Sequence, residues 1–125
     1  MRAVSLFLAF MLPVAASAEI VDIKWADGSF THKGSIAPKK FLEVCGKQRN
    51  GETVNWTFIG TAPTDFNIHY HVGKEVSYPE NRKGVASAEG SLVAALDQDF
   101  CWMWTNRSAQ PLDMDVRLKQ AKAEK

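Results

Sequence analysis

The sequence predicts an all-β fold, an antiparallel β-sandwich of jelly-roll type held by one disulfide. Three observations predict it. Apolar and polar residues alternate with a period of two along most of the chain. Turn-forming residues interrupt the alternation at short intervals. An even pair of cysteines, Cys45 and Cys101, sits in a chain that begins like an exported protein.

The first segment sets the expected compartment. Arg2 supplies a positive start, residues 3–15 form an apolar run broken by Ser5 and Pro13, and Ala16-Ser17-Ala18 supplies small residues for cleavage. This is the pattern of a secretory signal over residues 1–18. The run is shorter than the roughly 20 residues that cross a bilayer. The mature chain is then 19–125, enough for one domain, with no further apolar stretch of spanning length. The expected location is secreted, in the manner of a bacterial periplasmic protein.

Charge adds an exclusion. The full chain carries 15 Lys and Arg against 14 Asp and Glu, and removing Arg2 balances them. The basic residues are scattered, so neither nucleic acid nor an anionic membrane surface is an expected partner.

Each run of alternation reads as a strand with one dry and one wet side. Ile20–Trp25 and Phe30–His32 flank Asp27-Gly28, a hairpin turn signal. Phe41–Cys45 forms a short strand. Val54, Trp56 and Phe58 alternate with Thr53, Asn55 and Thr57. Ala62-Pro63-Thr64-Asp65 reads as a turn before Phe66, Ile68, Tyr70 and Val72, which alternate with Asn67, His69 and His71. Tyr78-Pro79-Glu80-Asn81 and Lys83-Gly84 read as a longer connection. Ser91–Leu96 and Phe100–Trp104 are apolar on both faces, as central strands are. Leu112, Met114, Val116 and Leu118 close the pattern, and residues 120–125 read as a frayed tail.

Two cysteines in an exported chain read as a bridge between Cys45 and Cys101. It closes a loop of about 57 residues, for which chain entropy gives roughly 4 kcal/mol of stabilisation.

Three constellations could carry chemistry. His69-Tyr70-His71 puts two imidazoles on one strand face, about 7 Å apart at Cα. With Glu75 they offer a copper or zinc ligand set, though the second half of a cupin-like metal motif is absent. Trp25, Trp56, Trp102 and Trp104 are numerous for a small domain, and read first as core. Asn55-Trp56-Thr57 and Asn106-Arg107-Ser108 match the glycosylation sequon. No nucleophile motif, free thiol or cofactor fingerprint is present, so neither an enzyme nor a cofactor is expected.

The segment 41–118 resembles the GOLD (Golgi dynamics) domain. The features that carry the resemblance are Cys45 at the end of an early strand, Thr53–Phe58 with its central aromatic, Asp65–Tyr70 after an acidic position, Phe100–Asn106 with its Cys-aromatic-Asn order, and Leu112–Leu118. The resemblance implies a jelly-roll sandwich and recognition of a protein or lipid without catalysis. The chain departs from the cargo receptors of that family in carrying no coiled coil or membrane span after the domain. The leading expectation is therefore an exported binding module for a protein or lipid partner, with His69, His71, Tyr78 and Trp104 as candidate contacts. The alternative is a periplasmic copper- or zinc-binding protein using His69, His71 and Glu75.

Overall fold

A computed structural model describes residues 19–121. The expected signal segment and the end of the tail lie outside them. The strands are β1 (Glu19–Asp22), β2 (Ser29–Ile36), β3 (Phe41–Gln48), β4 (Thr53–Val72), β5 (Glu75–Val93), β6 (Gln98–Thr105) and β7 (Leu112–Gln120). All belong to one sheet in the order β1-β3-β6-β4-β7-β2, with β5 paired to β4. Every pairing is antiparallel except β1 with β3.

This corrects the expected two-sheet sandwich of jelly-roll type. The sequence pattern predicts separate strands on either side of Ala62–Asp65. The structure joins them into a single β4 of 20 residues. Its first half pairs with β7, from Val54 to Gly60, and its second half with β6, from Asp65 to His69. β5 follows both halves. The sheet is therefore continuous and curls on itself, a half-barrel around one core.

The bend between the halves has a local cause. Between Ile59 and Thr64 the β4–β5 register jumps, with β4 advancing five residues while β5 advances two. Pro63 has no N–H to donate, so it suits such an irregularity better than a regular ladder. Gly60 sits where the backbone closes in. A Cβ there would lie 3.2 Å from both Ala62 O and Ala86 O. Thr61 Oγ1 accepts a hydrogen bond from Asp113 N, and Thr64 Oγ1 donates one to Val85 O, so the bend stays tied to both neighbours. Pro79 falls at a second register shift, on β5, which pairs on one side only.

The expected Asp27-Gly28 turn forms, with φ of 52° and 73°. Its flanking strands do not stay together. Only Ala26 and Ser29 bridge, after which β1 runs beside β3 and β2 beside β7.

One face of the curled sheet is dry. Leu42 and Val44 of β3, Phe100, Trp102 and Trp104 of β6, Val54 to Phe58 and Phe66 to Ile68 of β4, and the even residues of β7 fill it. The two halves interlock through aromatic contacts. Phe58 lies 4.7 Å from Phe66 and 5.5 Å from Trp104, centroid to centroid, and Phe66 lies 5.4 Å from Trp104. Such pairs add about 0.5–1.5 kcal/mol each beyond area burial. On the other face, Cys45 and Cys101 are joined by a disulfide between register-paired residues of β3 and β6.

Candidate functional site

Two features stand out, one on the outer face and one at a hairpin tip, and both follow from strand parity. On β4, even residues face the core, so Asn67, His69 and His71 face outward. His69 pairs with Cys101, which pairs with Cys45, so these three form one row across β4, β6 and β3. Two residues before Cys45, on the same face, stands Glu43.

This row gathers a cluster. His69 Nε2 lies 3.0 Å from Glu43 Oε1 and His69 Nδ1 lies 2.7 Å from Asn67 Oδ1. The His71 ring meets that of His69 edge-on at 5.3 Å, and the Tyr78 ring lies 5.9 Å from it. His69 is thereby only 6% exposed. Burial pushes its pKa below the ordinary histidine value. The Glu43 carboxylate opposes that shift and the neighbouring His71 adds to it. Glu43, His69 and Cys101 also place an oxygen, a nitrogen and a sulfur within 4.8 Å of one another.

The second feature is the tip of the β4–β5 hairpin. The β4–β6 pairing ends at His69, and from Tyr70 onward β4 pairs only with β5. Gly73, at φ 59°, turns the chain. His71 faces Val76 across the hairpin and Val72 faces Glu75. Val72 is 51% exposed, Val76 38% and Tyr78 55%. Among the described residues, six large hydrophobics are exposed, and these three cluster around the turn of this hairpin.

The sequence-predicted residues thus separate. His69, His71 and Tyr78 come together. Glu75 does not join the histidines as a ligand set, because its register partner is Val72 and the pleat places it on the face opposite His71. Trp104 is 1% exposed and packs on Phe58 and Phe66, so its side chain is core and no partner reaches it. Glu43, Asn67, Val72 and Val76 were not singled out by sequence. The two-residue offsets from Cys45 and His69 place Glu43 and Asn67 on the same faces as those residues, but do not bring β3 beside β4.

Two polar networks are structural. Asn106 is fully buried. Its Nδ2 donates to Ile36 O and Gln110 O, and its Oδ1 accepts from the Ser108 N–H and hydroxyl. A glycan has no room there. Asn55 is exposed, with Oδ1 accepting from Ser91 Oγ. Asp65 accepts from Arg107 Nε and from Gly84 N at 3.0 Å, with Lys83 beyond. Burial alone would raise its pKa. The Arg107 and Gly84 hydrogen bonds and the charges of Arg107 and Lys83 outweigh that and lower it.

A groove of about 800 Å³ also crosses the polar face of β2, β7, β4 and β5, walled by Thr31, Asn55, Glu89, Arg117 and Lys119. Its charges are of mixed sign. No described helix is long and apolar enough to cross a membrane.

Comparison with known proteins gives fold without family. No protein-family profile and no characterised protein sequence matches the chain. Solved structures do. The chain is similar to PliG of Aeromonas hydrophila, a periplasmic inhibitor of g-type lysozyme, at a TM-score of 0.65 and 16% identity over 84% of this chain and 98% of that one. It is similar to the pre-peptidase C-terminal domain of a Bacillus anthracis collagenase (TM-score 0.59, 9% identity, 82% and 95% covered). It is also similar to the Yersinia pseudotuberculosis-derived mitogen (0.58, 12%, 78% and 89%). The resemblance to the GOLD domain is overturned by these matches and by the topology. Its motifs were a strand order and two cysteines, which a curled single sheet also satisfies. The chain has the fold of the PliG lysozyme inhibitors.

Proposed function

We propose that this chain is an exported, non-enzymatic inhibitor-type module that binds a protein partner through the tip of its β4–β5 hairpin. The observation that carries the reading is the concentration of exposed apolar side chains there, where β4 has left its pairing with β6. Val76 and Tyr78 beside His71 on one face of the tip, with Val72 and Glu75 on the other, make the mixture a protein interface uses, an aromatic anchor among polar groups. That mixture favours a protein over a lipid partner. The likeness to periplasmic lysozyme inhibitors supports the inhibitor role and a periplasmic location, and makes g-type lysozyme the first partner to test. Fold alone does not fix the partner, since a mitogen and a collagenase domain share it.

The test is muramidase activity with purified 19–125 added. The reading expects inhibition that weakens tenfold or more in Tyr78→Ala and in Val76→Asp, as loss of a central anchor does. No inhibition at large excess would withdraw lysozyme as the partner. Full inhibition by both variants would withdraw the hairpin as the contact.

A further inference from the structure

The row of side chains beside the disulfide has a use that the binding role leaves untouched. We propose that Glu43, His69, Cys101 and Cys45 form a zinc(II) site that is closed while the two sulfurs are bonded and opens when a dithiol reduces them.

Three observations carry this. The first is placement. Cys45, Cys101 and His69 stand in register on three adjacent strands, and Glu43 projects from the same face. A carboxylate oxygen, an imidazole nitrogen and a cysteine sulfur already lie within 4.8 Å of one another. Thiolate, imidazole and carboxylate are the ligands zinc takes, at about 2.3, 2.0 and 2.0 Å in a tetrahedron.

The second is the histidine's tautomer. Nδ1 faces Asn67 Oδ1 at 2.7 Å and therefore carries the ring proton that the amide oxygen accepts. Nε2 then presents a lone pair to Glu43 Oε1 at 3.0 Å. The nitrogen and the carboxylate oxygen face each other at a distance that one shared cation can bridge. A metal-bound imidazole held at its other nitrogen by an oxygen is the usual supporting arrangement.

The third is access. Both cysteines are only partly buried, so a reductant can reach the bridge.

The chemistry balances. A dithiol thiolate attacks one sulfur of the bridge, the Cys45–Cys101 bond breaks, and the mixed disulfide resolves when the reductant's second thiol closes its own disulfide. Two electrons and two protons pass to the cysteine sulfurs. Zinc(II) then displaces both protons and binds two thiolates, His69 Nε2 and the Glu43 carboxylate. The sulfurs must part to about 3.7 Å, the edge of a tetrahedron with 2.3 Å bonds, which side-chain rotation supplies.

The test uses the mature chain, reduced under argon, freed of reductant and titrated with cobalt(II) as the spectroscopic probe for zinc. The reduced chain should take one cobalt, with thiolate charge-transfer and tetrahedral d–d bands that zinc abolishes. The oxidised chain should show neither band. His69→Gln and Glu43→Gln should each weaken binding at least tenfold, as loss of a ligand does. Equal binding by both variants, or no thiolate band in the reduced chain, would overturn the site. If reduction unfolds the metal-free chain, zinc must restore its strand circular dichroism. A reduced chain that stays unfolded with zinc would equally overturn it.

Discussion

Gly90 is the position where the curled sheet and generic strand propensity make opposite predictions. It lies on β5 directly across from Trp56. A Cβ at Gly90 would stand 2.5 Å from Trp56 Cζ2, 3.0 Å from Cε2 and 3.2 Å from Cη2. Carbon atoms pack at about 3.5–4.0 Å, so the ring would have to retreat by about 1 Å. It has little room to do so. Its centroid lies 4.9 Å from that of Phe66, and the Arg82 guanidinium sits 5.4 Å above it. Overpacking of this kind costs about 1–3 kcal/mol. Removing glycine's extra freedom in the unfolded chain returns about 0.5–1 kcal/mol. The expected net loss for Gly90→Ala is about 1–2 kcal/mol, read as a urea midpoint lowered by about 0.5–1 M in tryptophan fluorescence. Trp56→Phe in the same chain should recover part of it, giving a favourable coupling in the double-mutant cycle. A Gly90→Ala protein as stable as its parent would refute the packing of Trp56 on β5.

Further outcomes follow from the polar groups and the bridge. Asn106→Ala should lose about 1–3 kcal/mol, because it leaves buried partners such as Ile36 O without their donor. Cys101→Ala, assayed in an oxidising buffer, should lose about 4 kcal/mol, the chain-entropy value for a loop this long. Unchanged melting would contradict it. His69 has a lowered folded pKa, so its neutral form is the one the fold favours. Its contribution is complete above the unfolded value of about 6.5 and falls as pH drops from there through the folded pKa. Stability of His69→Gln should lack that acid limb. Asp65 is also lowered, so its contribution stands above the unfolded value near 3.8 and is lost as pH falls through the folded pKa. Asp65→Asn should flatten the stability profile in that more acidic window.

Much of the fold was legible because parity is a strong signal. Alternation at Val54–Phe58, Phe66–Ile68 and Leu112–Leu118 named the residues that line the core. Two apolar faces on Phe100–Trp104 marked the strand that lies between β3 and β4. What alternation cannot encode is whether two runs are one strand. Pro63 and Pro79 read as turns because proline cannot join a regular ladder. Here each sits at a register shift of the β4–β5 ribbon, where the missing N–H costs no pairing. The sandwich expectation failed at that step and again at β5, where residues 78–84, which read as a connection, are strand, and where Ser91–Leu96, which read as a central strand, ends a strand that pairs on one side only. Trp104 reads as a contact because it lies near a strand end, but the opposite half of the curled sheet closes over it, which local sequence does not show. The Glu43–His69 pair was invisible for a related reason. Adjacency of β3, β6 and β4 is set by topology, and nothing local in either strand announces it.

The measurement that reaches the central claim most directly is a set of cross-strand nuclear Overhauser contacts along β4. One continuous curled strand predicts backbone contacts of Phe58 with both Ala88 and Val116, and of Ile68 with both Glu80 and Trp102, in the same molecule. A chain reversal at Ala62–Asp65, with no β5 pairing for one of the two halves, would contradict it.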